Sequence, residues 1–201
     1  MEARAALLLI DFINPMDFDG GERLAPRAVA AARATRRLKR QAVAEGVPVI
    51  YVNDNFGDWR ASFEVVMRRC ESSGRGRELA ALLRPEAADV SILKPRHSAF
   101  YGTPLEFLLD ELGSDALVLT GLQAHICVLF TAHDAYLRRY RLWVPRDCVA
   151  SERVESEEGT LRHLGEIAAA DTRPAAALAA ESLRLRQVFE ESREAHVEGH
   201  G

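Results

Sequence analysis

Residues 116–139 read ALVLTGLQAHICVLFTAHDAYLRR, and this stretch decides the fold class. Its first five residues are a continuous apolar run, the pattern of a strand buried on both faces. Gly121 to Ala124 turns the chain, and from about His125 to Arg139 the residues have helical periodicity. A buried strand that feeds directly into a helix is the repeating unit of α/β proteins, whose parallel strands are joined by right-handed crossovers. Cys127 falls in the first turn of the predicted helix.

The same unit recurs outward in both directions. Ala5 to Ile10 (AALLLI) is a second buried strand and ends at Asp11; residues 12–23 have the Asn-Pro and Gly-Gly composition of a loop, and Leu24 to Glu45 reads as a long helix stopped by Gly46. Val47 to Val52 is a strand that runs into a polar and aromatic loop, Asn53-Asp54-Asn55-Phe56-Gly57-Asp58-Trp59. A helical region is expected over Phe63 to Leu83, then a short strand over Ser91 to Leu93 leading to Lys94. Thr103 is placed to cap a helix through Leu112 that Gly113 ends. Arg141 to Val144 is the last strand, followed by helices over Glu155 to Ala170 and Pro174 to Glu191, and the final HVEGHG reads as a frayed tail. With 201 residues the chain fits one domain, 1–195, with a tail at 196–201.

Composition excludes several classes of function. The chain is 48% hydrophobic and 28% charged, and it has no apolar run near the roughly 20 residues that span a bilayer, so a soluble protein with no membrane partner is expected. Its opening apolar run is too short for a signal-peptide core, and an acidic residue stands where a basic one would be expected, which points to the cytoplasm. The three cysteines, Cys70, Cys127 and Cys148, show no paired spacing and read as reduced thiols. The net charge of −4 comes from intermixed Arg and Glu without a basic face, so nucleic acid is not an expected partner.

Parallel sheets place ligands beyond the carboxyl ends of their strands. Asp11, Asn53, Lys94 and Cys127 all fall at that edge. A thiol at a helix N-terminus and near an ammonium is favoured as thiolate, and a carboxylate can take its proton and return it to a leaving amine. The turn Gly121-Leu122-Gln123-Ala124 can aim backbone N–H groups at an oxyanion. Singly, each residue has a plainer reading: Cys127 as buried packing, Asp11 as a cap, Lys94 as a solvated lysine. Their joint placement favours acyl transfer, while Cys70 and Cys148 stay assigned to packing.

The segments ALLLIDFINPM, LKPRHSAFYGTPLEFLL and LTGLQAHICVLFTAHDAYLRRYRLWVPRDCVAS resemble the isochorismatase-like cysteine hydrolases over nearly the whole chain. The resemblance implies a three-layer α/β/α, Rossmann-like fold with a mostly parallel central sheet and an Asp-Lys-Cys triad. Asp11 would be the proton acceptor, Lys94 the charge stabiliser and Cys127 the nucleophile. It further implies a non-proline cis peptide at Leu122-Gln123, an oxyanion hole from the N–H groups of Gln123 and Cys127, and a homodimer or homotetramer. Two departures stand out. Ala124 replaces a family Thr or Ser, and Asn53-Asp54-Asn55 lacks the histidines of the nicotinamidase metal site, so no metal or other cofactor is expected. Retention of Cys127 points to a C–N bond (amide, imide or ureido) in a small molecule as the target, against a vinyl-ether hydrolase or a non-catalytic subunit on this scaffold. Phe18, Asn53, Asn55, Phe56, Trp59, Phe100, Tyr101 and His125 are the candidate substrate-contacting residues, with His97 flanking them.

Overall fold

The computed structural model of the chain describes residues 4–177 and 188–189. Six strands form one parallel sheet: β1 (Ala5–Ile10), β2 (Val49–Asp54), β3 (Val90–Lys94), β4 (Ala116–Leu122), β5 (Arg141–Trp143) and β6 (Val149–Ala150). The spatial order is β3-β2-β1-β4-β5, with β6 pairing the end of β4. Helices α1 (Gly21–Ala44), α2 (Phe63–Ser72), α3 (Arg77–Leu82), α4 (Leu105–Glu111), α5 (Leu129–Leu137) and α6 (Val154–Ile167) cover the two faces.

The alternation of side chains along β1 builds two cores. Leu7 and Leu9 pack with Leu24, Ala28 and Leu38 of α1 and with Met67 and Leu79 from α2 and α3. Ala6, Leu8 and Ile10 point the other way, onto Leu105 of α4, Ala132 of α5 and Leu164 of α6. Because both faces are covered, β1 and β4 are apolar at nearly every position and each is buried throughout. Among the described residues no helix is long and apolar enough to cross a membrane.

Several boundaries differ from expectation. The helical region over Phe63–Leu83 is broken into α2 and α3, because the chain between them docks on the loop after β1. Ser73 Oγ donates to the Pro15 carbonyl at 2.5 Å, and a Cβ on Gly76 would lie 2.5 Å from the Asn14 carbonyl oxygen. Strand β2 starts later than Val47 and runs on to Asp54, pairing Asp54 with Lys94 of β3. Strand β4 continues through Gly121 and Leu122, where the expected turn was placed. Gly121 is required there: its φ is +140°, and a Cβ would meet the Ile10 carbonyl oxygen at 2.1 Å. A wide π turn over Ala124–Val128 precedes α5, so the expected single helix from His125 begins as a different coil. Most of the helix expected over Pro174–Glu191 and all of the tail at 196–201 lie outside the described residues.

Candidate active site

The chain runs outward from β1 to β2 and β3 and then crosses back to β4 on the other side of β1, and the crevice at such a switch point is where open α/β sheets bind ligands. Each of the four strands delivers one group to it. Asp11 follows β1 in a left-handed conformation, φ 52°, with its N–H donating to Val52 of β2 at 3.1 Å. That bend turns the carboxylate back across the sheet end. Its Oδ1 accepts the Asp54 N–H at 2.6 Å and its Oδ2 lies 2.8 Å from Lys94 Nζ. Lys94, fully buried at the end of β3, reaches Cys127 Sγ at 3.6 Å, and the Asp11 carboxyl group is near enough for its charge to act on the same thiol. The structure therefore brings Asp11, Lys94 and Cys127 together, with a cis peptide at Leu122-Gln123 leading into the turn that carries the cysteine.

The electrostatics run against the expectation of a stabilised thiolate. Burial pushes the Cys127 thiol well above its ordinary range, and the Asp11 charge raises it further; Lys94 pulls it down but does not prevail. Burial also raises Asp11 above the usual carboxylate range, opposed by Lys94 and by its hydrogen bonds from Cys127, Lys94 and Asp54. For Lys94 burial alone would favour loss of the proton, but Asp11, the sulfur and Asp54 outweigh it and hold the ammonium charged. Burial thus favours a neutral thiol at rest, beside a carboxyl group paired with the Lys94 ammonium. The positive end of the helix dipole is worth only about 0.3–1 kcal/mol in most settings, too little to reverse the burial of a charge.

Asp54 was missed by the sequence reading. Its Oδ2 lies 3.6 Å from Lys94 Nζ, and its Oδ1 accepts the Phe56 N–H at 2.6 Å. The signal was available, since a carboxylate at a strand end next to Asn53 and Asn55 faces the same edge, but ending β2 at Val52 hid it.

Several expected substrate contacts are corrected. Asn53 is buried and spent on the loop after β1: it accepts the Ile13 N–H at 3.1 Å and donates to the Ile13 carbonyl at 2.8 Å. Asn55 is buried too, and its side chain accepts the Gly57 N–H at 2.9 Å in a local turn. Phe100 belongs to the core beneath α5, tilted against Tyr140 with Arg138 over its ring. Phe56 packs on the opposite core under Arg69. Phe18, Trp59 and Tyr101 stay exposed, Trp59 at 80%. His125 is tied to β6, with its Nδ1 2.8 Å from Ser151 Oγ and its backbone N–H donating to the same hydroxyl at 3.3 Å. His97, which flanks the catalytic segments, has its Nδ1 3.9 Å from Cys127 Sγ.

A sheet with this order and a carboxylate, an ammonium and a thiol at its switch point define a class of α/β hydrolase. The isochorismatase domain model matches residues 5–172, and the chain belongs to that family. It is 40% identical over 160 residues to an uncharacterized isochorismatase family protein, YaaI, of Bacillus subtilis, covering 80% of this chain and 88% of that one. It is 31% identical over 169 residues to the maleamate amidohydrolase of Pseudomonas putida, covering 79% and 78%. Among solved structures, N-carbamoylsarcosine amidase from Thermoplasma acidophilum superposes with a TM-score of 0.67 at 30% identity over 86% of this chain and 96% of that one. The protein is a hydrolase of the isochorismatase family.

Proposed function

We propose that the protein is a cysteine amidohydrolase that cleaves a C–N bond (amide, imide or ureido) of a small molecule through a thioester. The observation that carries this reading is the meeting of three groups: Lys94 Nζ lies 3.6 Å from Cys127 Sγ and 2.8 Å from Asp11 Oδ2, and the Asp11 charge acts on the same thiol. The relatives named for maleamate and N-carbamoylsarcosine, both amide-type compounds, support the bond type.

A neutral thiol needs a base at the moment of attack, and Asp11, ion-paired to the lysine that also reaches the sulfur, is the group placed to serve. As the S–C bond forms, the thiol proton passes to Asp11, and Lys94 limits the charge that builds on carboxylate and sulfur. The carbonyl oxygen becomes an oxyanion, which we assign to the N–H groups of Gln123 and Cys127; one such donor is typically worth about 10²–10³-fold in rate. Collapse breaks the C–N bond, and the departing nitrogen takes the proton from Asp11. Water then cleaves the thioester, releasing the acid and restoring the thiol. No step asks for a metal or an organic cofactor.

Replacing Cys127 by Ala is expected to abolish turnover on a panel of small amides, ureides and carbamoyl compounds, assayed by ammonia release, together with the mass adduct formed by iodoacetamide at this residue. Hydrolysis that survives Cys127→Ala or Cys127→Ser would refute the nucleophile and assign a chemistry of the vinyl-ether type.

A further inference from the structure

Cys127 Sγ has two kinds of neighbour, one buried and one exposed. Asp11 and Lys94 are buried, while His97, with Nδ1 3.9 Å from the sulfur, is open to solvent. The imidazole is not free to wander. Its ring is tilted against Phe130 of α5 with centroids 5.5 Å apart. The backbone beneath it is locked to the same helix by Thr131, whose buried hydroxyl accepts the Ala99 N–H at 2.9 Å and donates to the Cys127 carbonyl at 2.7 Å. One side chain thus fixes the loop that carries His97 to the residue that carries the thiol.

This arrangement bears on the second half of the reaction. Once the sulfur is acylated, Asp11 has surrendered its proton to the leaving nitrogen, and the incoming water must come from the open side. That side is lined by His97. A neutral imidazole can accept a proton from water and hand it on, which the ammonium of Lys94 cannot do.

We propose that His97 is a fourth catalytic residue, serving hydrolysis of the thioester from the open side of the sulfur while Asp11 serves its formation from the buried side. The proposal rests on Cys127 being the nucleophile. As the water oxygen bonds to the acyl carbon, one of its protons passes to His97. As the C–S bond breaks, the imidazolium returns that proton to Sγ, leaving a thiol, a carboxylic acid and a neutral histidine. The proton count closes without an outside acid or base.

The test uses 4-nitrophenyl acetate, whose activated ester acylates a thiol with release of coloured 4-nitrophenolate. In His97→Ala the burst of nitrophenolate is expected to stay within about twofold of wild type, while the steady-state rate falls by about 10²-fold, the lower range for loss of a general acid–base group. The acetyl adduct should accumulate on Cys127 by mass spectrometry, and added imidazole should restore turnover beyond its effect on the wild type. Loss of the burst together with the steady state, or a steady state unchanged by the substitution, overturns the proposal. A burst that persists in Cys127→Ala, or a His97→Ala chain that turns over without ever carrying the adduct on Cys127, sinks the nucleophile itself and the role of His97 with it.

Discussion

The molecule contains two buried lysine–aspartate pairs built on nearly the same plan. Lys94 meets Asp11 at 2.8 Å in the crevice, and Lys39 of α1 meets Asp89, just before β3, at 2.5 Å; all four side chains are almost fully buried. Each aspartate also accepts one backbone N–H, from Asp54 at 2.6 Å and from Glu86 at 2.7 Å. The difference lies in what else touches the pair. Asp89 and Lys39 are completed by Glu86 at 3.5 Å and by the Tyr51 ring, 5.3 Å from the ammonium, with no thiol beside them. Asp11 and Lys94 are completed by a thiol, a second carboxylate and an open rim. Burial and pairing alone make a clamp. A transferable proton beside the pair makes a site.

Swapping each lysine for methionine separates the two roles. Either substitution leaves a carboxyl group buried without its counter-ion, and about 3–5 kcal/mol of stability should be lost in both cases. Lys94→Met should in addition lower turnover by at least about 10²-fold, because the thiol then rises further and nothing balances the developing charge. Lys39→Met should leave kcat/KM of the folded fraction near wild type. Thermal unfolding and amide hydrolysis measured on the two variants side by side check this; equal losses of activity would erase the distinction.

A smaller effect sharpens it through pH. In the proposed mechanism ionised Asp11 is the active form, and burial holds its proton more tightly than an ordinary aspartate does. Activity should therefore fall with decreasing pH through a value above the usual aspartate figure of about 3.9, and kcat/KM profiles should show an acid limb displaced upward. An acid limb at or below that figure would mean that Lys94 outweighs burial at this carboxylate.

Most of the framework was legible because it is local. AALLLI is apolar at every position and ALVLT at all but its last, the pattern of a strand covered on both faces, so the sheet and the placement of Asp11, Lys94 and Cys127 at its edge were readable from the residues. What was not legible depends on contacts between segments far apart in sequence. Asn53 reads as a polar residue facing a pocket, but it is consumed by Ile13 forty residues away; Phe100 reads as a loop aromatic but fills the space under Tyr140. The break at Ser73–Gly76 is set by its docking on Pro15, and nothing within 63–83 announces that partner. Charge was the hardest to read. The helix-start position of Cys127 is visible in the sequence, whereas its desolvation and the sign of Asp11's influence on it require the packed site.

The measurement that most directly tests the account is the pH dependence of Cys127 alkylation by iodoacetamide, compared between wild type and Asp11→Asn, with Cys127→Ala subtracted as background. If Asp11 is the proton acceptor of a neutral thiol, the wild-type midpoint lies above the free-cysteine value of about 8.5, and removing the carboxylate's charge moves it down, so the variant alkylates faster near neutral pH even as its turnover falls by about 10²–10⁴-fold. A wild-type midpoint well below neutrality, or one that Asp11→Asn leaves in place or raises, would contradict it.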